Sequence, residues 1–169
     1  FFKGLSVVYF ISFLSLLSQA DGLFSSNGII PISSYITYLK EVLGDDCYLK
    51  VPTIFYVFSG DIFIKLCISL GLLFSMLLFF GRSTLLCLTS LLILYISIVN
   101  VGQSFLSFQW DVLLIECGFI AVLMAPVRIG RKVFNNSPAV FLTWALRVLL
   151  FRVMIASALV KWGSGDINW

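Results

Sequence analysis

Three stretches of this chain, residues 4–20, 66–81 and 83–110, contain no Lys, Arg, Asp or Glu. A helix crossing the hydrocarbon core of a bilayer needs roughly 20 predominantly apolar residues, and these runs supply that length once their flanks are included. A soluble domain needs a far more charged surface than 11% Asp, Glu, Lys and Arg can provide, and a mean hydropathy of +1.08 points the same way. The reading is an all-α, polytopic transmembrane helix bundle. Its spans are expected at about 3–20, 60–80, 83–101, 110–126 and 138–162, five in all.

The sequence opens Phe-Phe-Lys rather than with Met, and the expectation is an internal piece of a longer protein, a single transmembrane domain over residues 1–169. The first apolar run lacks a small-residue cleavage site and leads into further spans, so it reads as a helix and not as a removed leader.

The first connection, 21–59, is long enough to carry structure. From Pro31 onward, Ile32, Tyr35, Ile36, Leu39, Val42 and Leu43 recur at helical spacing, and Gly44 stands where a helix would stop. Ser33, Ser34, Thr37, Lys40 and Glu41 take the opposite face. This is an amphipathic helix, lying either on the membrane surface or against the bundle. The stretch GLFSSNGIIP (22–31) carries Asn-Gly turn chemistry, Gly81-Arg82 marks a tight turn, and Pro126 and Pro138 bracket the last connection.

Basic residues set the orientation. With five spans, one side receives Lys3, Arg82, Arg128, Arg131 and Lys132 and no acidic residue. The other receives Asp21, Lys40, Glu41, Asp45, Asp46, Lys50 and Asp166. The positive-inside rule then puts the N-terminus in the cytoplasm, and the long first loop and C-terminal end face the lumen or exterior. Trp110, Trp162 and Trp169 fall at the luminal interface, where indole rings anchor helices.

Charges within spans are the exceptions that need partners. The fourth span carries Asp111 and Glu116, and the fifth carries Arg147, Arg152 and Lys161. At a rise of about 1.5 Å per residue, Glu116 lies about 10 Å below the luminal end of its helix and Arg152 about 15 Å below the end of the next. That depth pairs Glu116 with Arg152 inside and Asp111 with Lys161 at the rim. Arg147 lies nearer the cytoplasmic leaflet, placed to snorkel or to meet a lipid phosphate. Such pairs either lock two helices in register or form a polar site open to the lumen. Asp61 and Lys65, one helical turn apart, are expected to pair with each other.

Of the four cysteines, Cys67, Cys87 and Cys117 fall in spans, and Cys47 lies in the first loop, where a partner outside residues 1–169 is an option. The chain has no His, no C-x-x-C and no glycine-rich phosphate loop. No metal site, no cofactor and no nucleophile–His dyad is therefore expected. A net charge of +3 gives no reason to expect nucleic acid.

SLLSQADGLFSSNGIIP (15–31), GQSFLSFQWDVLLIECGF (102–119) and LRVLLFRVMIASALVKWGSGDINW (146–169) together resemble the lipase maturation factors. The resemblance implies a multi-pass protein of the endoplasmic reticulum membrane that helps secreted lipases fold, assemble and leave. It also implies a further luminal domain, after residue 169, as the main contact for the client. A second resemblance is more distant. SALVKWGSGDINW looks like a helix end of the vitamin K-dependent gamma-carboxylase membrane domain. It implies an alternative, a membrane enzyme with Lys161 as base. A base needs a neutral amine, and an Asp111 neighbour would favour the protonated one.

Overall fold

A computed structural model describes residues 1–125, 127–129, 132–134 and 140–164. Four of its helices are long and apolar enough to cross a membrane: α1 (Phe2–Leu23), α4 (Asp61–Phe79), α5 (Thr84–Val101) and α7 (Val140–Ser164). Between the first two lie α2 (Ile32–Leu43) and the single turn α3 (Cys47–Lys50). Between the last two lies α6 (Gln109–Met124). Outside the helices, Val127–Ile129 and Lys132–Phe134 pair as a short antiparallel hairpin. Pro126, Arg131, Pro138, Asp166 and Trp169, used above for turns, orientation and anchoring, lie outside the described residues.

The core is built from stripes. On α1 the buried residues Leu5, Tyr9, Phe13, Leu16 and Ala20 recur every three or four positions, which puts them on one face. The facing stripe of α4 is Ile64, Cys67, Ile68, Gly71, Ser75 and Leu78. The two helices meet closely because Gly71 has no side chain; a Cβ there would fall on the Phe13 ring. Helix α5 is the central one, buried at half of its positions through Leu88, Leu91, Tyr95 and Ile98 among others. Helix α6 adds Leu114, Gly118 and Ala121. Helix α7 packs on α6 and has no buried residue. The residues left outside, such as Val7, Ile11, Leu14, Leu73, Ile93 and Phe119, are apolar and exposed, as a surface solvated by lipid tails requires.

Helix α2 settles the choice left open by its amphipathic pattern. It starts after Pro31 and stops at Gly44, whose φ of 54° is a conformation that glycine adopts without strain. Ile32, Ile36 and Leu39 are buried, the first two in the bundle's core, so the helix lies against the helices as a cover. The turn before it is fixed by Ile29 N–H donating to Gly22 O (2.9 Å) and Ile30 N–H to Leu23 O (2.8 Å). Gly28 passes so close beneath Leu23 that a Cβ would meet its carbonyl oxygen at 2.7 Å.

Helix α6 has 16 residues, about 24 Å at 1.5 Å per residue, shorter than the roughly 30 Å hydrocarbon core. Its end has a local cause. Ala125 is extended (φ −68°, ψ 136°), the region to which a residue preceding proline is confined.

Candidate functional site

The seam between α6 and α7 is closed by charge. Arg152 Nη1 donates to Glu116 Oε1 at 2.7 Å, and Nη2 donates to Oε2. This two-pronged geometry matches the planar guanidinium to the carboxylate and is the stronger, more directional form of the pair. Arg152 is the midpoint of α7, twelve residues from Val140 and twelve from Ser164. The Glu116 side chain is 29% exposed and that of Arg152 56%, so the pair sits on the outer surface of the bundle. Grooves flank it on both sides. One of about 350 Å³ runs between Ile96, Ile115, Phe119 and Leu149 with Glu116 in its wall; the other, about 360 Å³, lies along Phe141, Trp144, Val148 and Arg152.

Asp111 does not take the partner expected of it. No hydrogen bond or ion pair joins Asp111 to Lys161 among the described residues; Tyr95 Oη donates to Asp111 Oδ1 at 2.6 Å. The reason is lateral position. Asp111 opens α6 on the side facing α5, whereas Lys161 belongs to the last turn of α7, exposed. The sequence held one signal for this: a buried tyrosine hydroxyl must find an acceptor, and Tyr95 is nearly fully buried. Tyr9 obeys the same rule from α1, its Oη reaching the Leu114 carbonyl at 3.3 Å. Gly118 makes room for that hydroxyl, which a Cβ there would strike. Tyr9, Phe13 and Tyr95 pack together, with Tyr95 edge-on to both others at 5.7 Å between centroids. Three helices therefore converge on one aromatic, hydrogen-bonded knot.

Arg147 lies over the Trp144 ring, 5.1 Å from its centroid, which satisfies the cation within its own helix. Lys161 lies nine residues beyond Arg152, about 13 Å along the helix. Among the described residues no hydrogen bond or ion pair joins it to Asp111 or Glu116, and the residue is exposed.

The first loop is pinned at both ends. Asp61 and Lys65 do not pair with each other. Lys65 Nζ binds Asp21 Oδ1 at 2.7 Å, and Asp61 accepts the Ser26 N–H (2.9 Å) and hydroxyl (2.8 Å). Reaching the last turn of α1 and the loop just after it satisfies more donors than an i,i+4 pair on one helix would. Further along, Asn100 Nδ2 donates to Pro52 O at 2.7 Å, and Thr53 Oγ1 to Ser97 O at 3.1 Å. Cys47 is buried, and Tyr56 Oη donates to its carbonyl at 3.0 Å. Burial first, and the Cys47 thiol second, push the Tyr56 phenol from 10.0 up to about 12.

An apolar helical bundle with ionic and aromatic ties between its helices defines a multi-pass membrane protein. The family model described as the lipase maturation factor transmembrane domain matches residues 1–169, and the chain belongs to that family. It is 36% identical over 179 residues to lipase maturation factor 2 of Xenopus tropicalis, covering 100% of this chain and 25% of that protein. Against lipase maturation factor 1 of Mus musculus it is 30% identical over 176 residues, covering 99% and 30%. The chain thus spans between a quarter and a third of the length of the curated relatives it matches. No solved structure matches it.

Proposed function

We propose that this chain is the membrane-embedded part of a non-enzymatic factor of the endoplasmic reticulum that assists the folding, assembly and export of secreted lipases. The observation that carries this reading is the family match over every residue of the chain, 1–169, with relatives named lipase maturation factors. In this reading α6 is a fifth span, the N-terminus is cytoplasmic, and the α2 cover and the end of α7 face the lumen. The segregation of Lys3, Arg82 and Arg128 from the acidic residues of the first loop supports that orientation. A client contacts mainly the luminal portion of the longer protein, while the bundle holds that portion at the membrane.

The test is depletion of the full-length protein from a lipase-secreting cell, followed by measurement of secreted lipase activity against secreted lipase mass. The expected result is a fall in activity per unit mass, restored by the wild-type protein. Unchanged activity on depletion sinks the reading. Orientation has its own check: a glycosylation acceptor placed in residues 21–50 is expected to be modified in microsomes, and an unmodified acceptor reverses the assignment.

A further inference from the structure

At the end of the bundle opposite the α2 cover, a groove of about 290 Å³ lies between α1 and α4. Its walls are Val7 and Phe10 from one helix and Met76 and Phe79 from the other. Two hydroxyls also line it, and both are already spent on their own helices: Ser6 Oγ donates to Lys3 O at 2.7 Å, and Ser75 Oγ to Leu72 O at 2.7 Å. Both serines are also almost fully buried, so the surface that the groove presents is apolar and suits hydrocarbon. Its mouth is different. Lys3 Nζ stands over the Phe79 ring, 5.9 Å from the centroid, and is exposed. Arg82, three residues beyond Phe79 in the turn that follows, is exposed as well. No acidic residue occurs between Phe1 and Ala20 or between Leu66 and Trp110, the segments that build this end of α1, α4 and α5.

We propose that this groove binds an anionic phospholipid from the leaflet nearest Lys3 and Arg82, one acyl chain lying between α1 and α4 and the phosphate held by the two cations. Charge complementarity selects the occupant. A second apolar helix would fill the groove but leave Lys3 and Arg82 without a counter-charge, and a zwitterionic lipid carries its own cation. Each basic residue near an anionic surface contributes roughly a fivefold preference. An apolar slot beneath the cations converts general attraction into a located site.

The protein is reconstituted in nanodiscs of phosphatidylcholine containing a minor fraction of phosphatidylserine, extracted into mild detergent, and the co-purifying lipid quantified by mass spectrometry. Phosphatidylserine is expected to be enriched several-fold over its input, less so at high salt. The change K3A together with R82A is expected to return the ratio to input, while Lys3→Arg keeps it. Ser75→Leu, which fills the groove and leaves both charges, is expected to lower the enrichment too. Circular dichroism and a monodisperse elution profile establish that each variant is folded. Absence of enrichment in the wild type overturns the proposal. So does enrichment that survives K3A with R82A, or that is untouched by Ser75→Leu, since the latter means adsorption by charge alone.

Discussion

Arg152, at the centre of α7, holds both oxygens of Glu116 on α6, and the clasp joins two neighbouring helices at the midpoint of one of them. Removing one partner leaves the other charge facing hydrocarbon, which is the expensive outcome. Glu116→Gln and Arg152→Gln are each expected to lower the thermal midpoint in detergent and the yield from membranes. The double variant is expected to lose less than the sum of the two. Strict additivity in that cycle would mean that the pair is not coupled.

Gly118 is required by the hydroxyl of Tyr9. Gly118→Ala is expected to destabilise by about 1–3 kcal/mol, the usual cost of forcing an extra carbon into a packed core. Tyr9→Phe removes the atom that the new methyl group would strike. Denaturation of the double variant is therefore expected to recover part of the loss; a double variant worse than both singles refutes the contact.

Tyr95→Phe separates the hydroxyl from the ring. It is expected to cost about 1.5 kcal/mol, the low end for a hydrogen bond to a charged acceptor, because Asp111 is only half-buried. Lys161→Ala is expected to leave that cost unchanged. Non-additivity between Tyr95→Phe and Lys161→Ala would restore the pairing of Asp111 with Lys161.

The pins of the first loop differ in weight. Lys65→Ala breaks an exposed pair and is expected to change stability by no more than about 1 kcal/mol. Asp61→Ala removes the acceptor of two Ser26 donors and is expected to cost more, read as faster amide exchange at Ser26 and its neighbours.

Tyr56 supplies a pH test. Its phenol titrates at about 12, above the ordinary 10.0, so folding holds the proton that the unfolded chain has already lost. The contribution is fully present below pH 10 and disappears as pH rises through 12. Phenolate absorbance of Tyr56→Phe, subtracted from that of the wild type, is expected to isolate a step near 12; a step near 10 means an unshielded hydroxyl.

The contrast between what the residues announced and what they did not follows from geometry. Position along a helix axis is a matter of counting, so the depth match of Glu116 with Arg152 could be read from spacing, and Pro31 and Gly44 punctuate α2 by local conformation alone. Rotation of one helix about another is not encoded in any short window. Tyr95 meeting Asp111, or Lys65 reaching Asp21 across 44 positions, depends on which faces the whole bundle turns inward. Helix α6 shows the intermediate case. Its apolar pattern carries on to Pro126, but the restriction that Pro126 places on Ala125 ends the helix at Met124.

A rod with no buried residue, gripped at its middle, is mechanically a lever. Tilting α7 about the Arg152 clasp moves Val140 and Ser164 by equal and opposite amounts, since each lies about 18 Å from the pivot. The Arg152 clasp, together with the packing of α7 on α6, fixes where that pivot falls.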